Sequence, residues 1–465
     1  MMKYYGPSVE HMRNKQGKNG VYSNRQDISF KLFPFTTHLA SPEINPGQFL
    51  RRASGYTVSK EKDTPIIVEE VISLIEEDTP GECKNQIYGA LREIATFTNE
   101  SNTGNYRIAL SSNGSSNSEK SAWYLASMTE NETELRKLTR SFIESSDGNA
   151  NVIERLIYCV VPLEEETQKQ ELPYYAVNKV LSSVFLEDLK LILGDQKLAE
   201  TYLPTLLNFY FFILIAENCI SVSKRMNGAR DAIAELYFAL DWEKTTQGRL
   251  CYKKGFKTLE PAIEDMFIHA GVLEILNTQG DISSAEPVDY IAIKEFISQN
   301  PEDEERVASK IRDASNFLLS LKFDDDTLFS SLDHPSDECK SVEQEIDYLY
   351  RIVRTILFET QRNKPRGDYS NSYREFCQGD SGFEKRRGRS GIMLNITDDT
   401  LLLLTVVSIG HRDSMSLTEL FGQFERRGVF MDETTKEEVA RFFEKRSMLD
   451  KKSDSGETQY VKRIL

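Results

Sequence analysis

Residues 383–405 read FEKRRGRSGIMLNITDDTLLLLT, a knot of four cations (Lys385, Arg386, Arg387 and Arg389) set directly before a leucine-rich run. Downstream of the knot the chain reads as a compact module. TDDT at Thr397–Thr400 provides a helix N-cap, and Leu401–Val407 gives a first buried helix ending near Gly410. SLTE at Ser416–Glu419 has capping-box spacing and opens a second helix, which carries Leu417, Leu420, Phe421 and Phe424 to a stop at Gly428. A third helix, within MDETTKEEVARFFEKRSM, turns Val439, Phe442 and Phe443 inward and leaves Lys436, Arg441 and Lys445 on its outer face. Two short strand patterns around Ser453–Gly456 follow. Three helices and then a hairpin are the order of a winged helix, which is the expectation for residues 392–465.

Such modules often lay the third helix in the major groove while the wing touches phosphates, and here the wing offers Lys451, Lys452, Lys462 and Arg463. KRRGR then reads as a flexible basic arm placed like the minor-groove arms of some helix-turn-helix proteins, with Gly388 and Gly391 removing steric bulk. Winged helices also bind proteins, and Glu437, Glu438 and Glu444 beside the third helix's cations suit that use.

Three pieces of this region, FEKRRGRSGIMLNITDDTLLLLT, LTELFGQFERRGVFMD and FFEKRSMLDKKSDSGETQYVKRIL, resemble the DptG (DndG) family of DNA phosphorothioation-dependent restriction proteins. The resemblance rests on residues 383–465 and draws little from the rest of the chain. It implies a bacterial defence role beside DptF-like and DptH-like subunits, in a set that restricts DNA lacking a sulfur-for-oxygen backbone modification. No catalytic residue is carried over with it.

Upstream, residues 361–391 hold eight Lys or Arg against four acids, interleaved with Tyr369, Tyr373, Phe376 and Phe383 and rich in Gly and Ser, the composition of a basic linker. Residues 61–360 read as a helical body. IIVEEVISLI, TELRKLTRSFIES, NVIERLIYCVV, YYAVNKVLSSVFLEDLKLIL, ARDAIAELYFAL, PAIEDMFIHAGVLEIL and ERVASKIRDASNFLLSL all space their apolar residues for helices, with no fixed repeat. The Ser/Asn/Gly stretch Ser111–Ser121 reads as a loop, with NYRIAL and AWYLASM as a possible small hairpin around it. Residues 1–60, punctuated by Gly and Pro with apolar clusters only at KLFPF and GQFL, read as an arm that docks on something. The fold expected is mainly α: an irregular multi-helix body with a C-terminal winged-helix domain.

Across all 465 residues the formal charge is −16, which argues against coating nucleic acid over the whole surface and confines any DNA contact to a local patch. The six cysteines and five histidines are scattered, without zinc-ligand pairing, so no metal or other cofactor is expected and a reducing cytoplasm suits the chain. LLNFYFFILIA at Leu206–Ala216 falls short of the ~20 residues a membrane span needs and reads as a core helix. No GxxxxGK[ST] or GxSxG string occurs. Candidate nuclease acids (Asp78 with Glu82 and Lys84, or Asp337 with Glu338 and Lys340) lie in polar loops, where a rigid metal site is not expected, and Asp324–Asp326 lacks EF-hand spacing. The reading is a non-catalytic subunit that touches duplex DNA. The alternatives are a protein scaffold that never touches DNA, and a nuclease assembled from residues far apart in sequence.

Overall fold

The structure, a computed structural model, describes residues 3–14, 30–58, 64–74, 83–89, 115–148, 162–165, 172–279, 286–321, 341–451 and 459–463, with isolated positions between them. Among these, the helices are α1 (Val9–Asn14), α2 (Pro46–Ser54), α3 (Thr64–Ser73), α4 (Ser116–Met128), α5 (Glu132–Gly148), α6 (Lys179–Leu193), α7 (Gln196–Ser223) and α8 (Lys257–Glu264). They continue as α9 (Met266–Leu276), α10 (Tyr290–Gln299), α11 (Glu304–Leu319), α12 (Val342–Glu359), α13 (Asn363–Gln378), α14 (Asp398–Ile409), α15 (Leu417–Glu425) and α16 (Glu433–Lys445). The strands are short: β1 (Tyr56–Val58), β2 (Leu163–Glu165), β3 (Ala239–Leu240), β4 (Glu384–Arg386), β5 (Ile392–Ile396), β6 (Ser414–Ser416), β7 (Leu449–Lys451) and β8 (Gln459–Lys462). The mainly α expectation holds.

The core is built on α7. Asp195 caps it by accepting from the amides of Lys197 and Leu198. Every residue from Phe209 to Ala216 is buried, as an all-round apolar helix must be. Around it pack α4, α6, α8, α9 and α14. The whole helix, at 28 residues, is long and apolar enough to cross a bilayer, unlike the shorter run read from sequence, but 89% of its apolar window is buried inside the fold. It is the centre of a folded core.

The N-terminal segment docks on this same core. Phe30, Leu32 and Phe33 are buried, and the Phe35 ring meets Phe211, Tyr369 and Tyr373 at 5.6–6.4 Å. Residues Pro46–Ser54, read as irregular, form α2, with Asn45 accepting from the Gln48 amide as its cap.

Three other readings need correction. Ser116–Met128 is helix α4, so neither the loop read at Ser116–Ser121 nor the hairpin strand read at AWYLASM forms: Ser115 caps the helix and Ala122, Tyr124, Leu125 and Met128 make a helical face that is buried; NYRIAL lies outside the described residues. ARDAIAELYFAL is extended, not helical. Its alternation of Leu236, Phe238 and Leu240, all buried, is a strand period, and β3 at its end pairs parallel with β5. Residues 361–391 are no linker: Tyr369, Tyr373 and Phe376 fall at helical spacing and bury one face of α13, and the following β4 pairs antiparallel with β5.

After β5 come α14, β6, α15, α16, β7 and β8, and the last three strands form an antiparallel sheet in the order β6-β8-β7. Thr397, Ser416 and Asp432 cap the three helices by accepting from the amides of Thr400, Glu419 and Thr435, each cap contributing about 1 kcal/mol. Glu419 does not complete the capping box; its carboxylate takes Arg412 at 2.5 Å. Val439, Phe442 and Phe443 are buried as expected, and Thr435 joins them. This unit is fastened to the body. The Phe238 amide donates to the Phe430 carbonyl at 2.9 Å and the Phe430 amide to the Leu236 carbonyl at 3.0 Å. Arg427 grips Asp188 through two bonds of 2.7 and 2.8 Å, with both side chains buried.

Candidate nucleic-acid interface

The cation knot is part of the fold. Arg387 is half-buried and its guanidinium is spent on structure: Nη1 donates to the carbonyls of Asp241 and Glu243, and Nη2 to the Leu240 carbonyl and Asn395 Oδ1. Lys385 Nζ donates to Asp241 Oδ1 at 2.6 Å and to the Asp241 carbonyl at 3.2 Å. Partial burial would raise the Asp241 carboxyl, but Lys385, Asn395 and Arg387 outweigh it and hold the group below its ordinary range. Arg386, on β4, and Arg389, in the tight turn Gly388–Ser390, point to solvent with no side-chain partner among the described residues. Gly388 and Gly391 have positive φ, which lets this turn close between β4 and β5. They shape a rigid turn, where a flexible arm had been expected.

One body loop, residues 241–249, links this turn to α16. Ser390 Oγ donates to the Thr245 carbonyl at 3.0 Å on the turn side. On the helix side, Arg249 donates to Asp432 at 2.8 and 2.5 Å, to Glu243 at 2.5 Å and to Thr435 Oγ1 at 3.0 Å. Burial works against the Asp432 carboxylate, and Arg249 and the Thr435 amide more than offset it, keeping its pKa below the ordinary value. Trp242 stacks on Phe442 of α16, with ring centroids 5.1 Å apart and planes 15° from parallel. The turn, the loop and the third helix therefore form one rigid face.

The cations assigned to the third helix are largely neutralised by their own neighbours. Arg441 pairs with Glu437 and Glu438, and Lys436 with Glu433 at 3.4 Å. Lys462 pairs with Asp450 across the β7–β8 pair at 2.9 Å. Lys445 and Arg463 are exposed without an ion pair among the described residues. The Lys451 side chain and the whole of Lys452 lie outside the described residues. Of the nine singled-out cations whose side chains are described, Arg386, Arg389, Lys445 and Arg463 thus remain open to an anion.

Sequence reading missed the loop's own contribution. DWEKTTQGRLCYKKGFK, residues 241–257, carries five cations against two acids, and Lys244 and Lys253 are exposed without a partner among the described residues. The signal was a local charge excess on an acidic chain, hidden by its distance from the knot. Two clefts share no residue with this face. One, of about 1110 Å³, is lined by Glu43, Glu200, Glu375, Asp380 and Asp399, the wrong sign for phosphate. The other, of about 680 Å³, has its Lys179 and Arg230 already paired with Glu130, Asp289 and Glu295.

Among the described residues no three His, Cys, Asp or Glu come together as a metal site. Asp78, Glu82, Asp324–Asp326, Asp337, Glu338 and Lys340 lie outside them. The buried thiols Cys219, Cys251 and Cys377 have their pKa raised by desolvation, the opposite of an activated nucleophile. In comparisons with known proteins, no family model and no curated protein matches the chain.

Proposed function

We propose that the chain is a non-catalytic, cytoplasmic subunit of a bacterial phosphorothioation-dependent restriction complex. It holds duplex DNA by the backbone through a C-terminal winged helix and the basic turn beside it, leaving NTP hydrolysis and cleavage to DptF-like and DptH-like partners. What supports the DNA-holding part is the order α14-β6-α15-α16-β7-β8 with a β6-β8-β7 sheet, which matches the order expected of a winged helix, together with four cations that have no acid partner among the described residues. The restriction role rests on the family resemblance of residues 383–465. Backbone holding suits the geometry better than base reading, because α16 carries four acids against three cations, of which Lys436 and Arg441 are paired, while Arg386 and Arg389 lie on β4 and in the turn after it.

Binding of the purified chain to matched phosphorothioated and unmodified duplexes across a salt series tests this. The expected result is affinity that falls steeply with salt and ignores the sulfur, since backbone cations meet an anion in either case. Absence of duplex binding at low salt would overturn it. A second reading, a scaffold for the partner subunits without DNA contact, is favoured by the self-neutralised α16. It predicts capture of those subunits with little salt dependence.

A further inference from the structure

Trp242 keeps 42% of its surface in water although it sits at the junction between the body and α16. Its loop cannot collapse to hide it. Asp241 on one side is held by Lys385 and Asn395, and Glu243 on the other accepts from the Leu240 amide at 3.1 Å and from Arg249 at 2.5 Å. The ring it rests on is fixed too. Phe442 is buried, and the Arg446 guanidinium lies 4.3 Å from its centroid while pairing with Asp398 at 3.1 Å. The indole is thus a braced flat plate on a loop that also carries Lys244, exposed and without a side-chain partner among the described residues, and that Ser390 ties to the turn bearing the exposed Arg389.

An exposed aromatic plate with cations on its own loop and on the turn tied to it matches a nucleotide whose base is unpaired, because the plate stacks on the base and the cations meet its phosphates. Bases within a duplex are stacked on their neighbours and offer no free face. We propose that Trp242, with Lys244 and Arg389, forms a stacking platform for single-stranded nucleic acid, distinct from backbone holding of a duplex. The proposal rests on the reading that this face of the molecule meets nucleic acid.

The chain has two tryptophans, and Trp123 sits elsewhere under Arg52, its indole nitrogen donating to the Leu172 carbonyl. Trp123→Phe therefore leaves Trp242 as the sole indole of an otherwise native chain. Titrating this variant with an oligothymidylate should quench its fluorescence saturably and reversibly with salt, while a duplex of equal length leaves the emission nearly unchanged. Trp242→Ala should weaken strand binding by about tenfold and spare duplex affinity, and Trp242→Phe, which keeps a ring on Phe442, should retain most of it. Strand binding without quenching, or with no loss in Trp242→Ala, would overturn the platform and leave the duplex reading standing. Failure of both strand and duplex to bind would overturn the two together.

Discussion

Arg427 and Asp188 meet across 239 residues of chain with both side chains buried, and Tyr210 donates its hydroxyl to the same carboxylate at 2.5 Å. Two charges removed from water hold the C-terminal unit to α6 and α7 as long as both are present. Arg427→Met leaves an uncompensated buried carboxylate, and urea unfolding should show a loss of about 3–5 kcal/mol. Adding Asp188→Asn, which is neutral and still accepts from Tyr210, should recover a large part of that loss. Glu217 has no ion pair among the described residues. Burial pushes its carboxyl from the ordinary 4.5 to about 8, against the pull of the Ala234 amide that donates to it. Between those two values the folded chain holds a proton that the unfolded chain has released, so this group's contribution is fully present below pH 4.5 and is lost as pH rises through about 8. The stability gained by Glu217→Gln over the unsubstituted protein should therefore grow between pH 5 and pH 8, by up to about 1.4 kcal/mol per unit, in unfolding curves at each pH. A gain independent of pH would contradict the assignment. At this scale the sequence displayed the cations and concealed their partners: nothing local to Lys385 or Arg387 announces Asp241, which lies 144 positions before Lys385.

The small sheet β3-β5-β4 depends on a close approach that one glycine permits. A Cβ on Gly255 would stand 2.3 Å from the Tyr237 carbonyl oxygen, and backbone cannot swing aside as a side-chain tip can. Gly255→Ala should cost about 2–4 kcal/mol in unfolding experiments and loosen β3 from β5, read as faster amide exchange at the residues pairing 239–240 with 395–396. The C-terminal helices were legible in the sequence because Thr397 and Ser416 are local signals that need no tertiary partner. Helix α13 was missed because Gly, Ser and charge outweighed the spacing of Tyr369, Tyr373 and Phe376. The aromatic surface those residues bury against, Phe35, Phe211 and Phe212, comes from distant parts of the chain. The strand at Ala239–Leu240 was missed for a related reason. Good helix formers such as Ala234 and Glu235 masked an alternation that only a neighbouring strand makes worthwhile.

Over the whole molecule, the N-terminal arm, read as docking, and residues 361–391, read as a linker, pack on the core around α7 where they are described, so the KRRGR cations are held at a fixed place on the surface. An acidic chain with a fixed basic face can bind a polyanion locally while the remaining surface repels it, which favours one orientation of binding. The salt dependence of duplex binding tests this most directly, comparing the protein with a variant in which Arg386, Arg389, Lys445 and Arg463 are all replaced by Ala. None of the four has a described side-chain partner, so the variant should fold. If these cations contact phosphates, the slope of log affinity against log salt should become shallower by about 3–4 and affinity should fall for every duplex sequence alike. An unchanged slope in a folded variant would contradict the account.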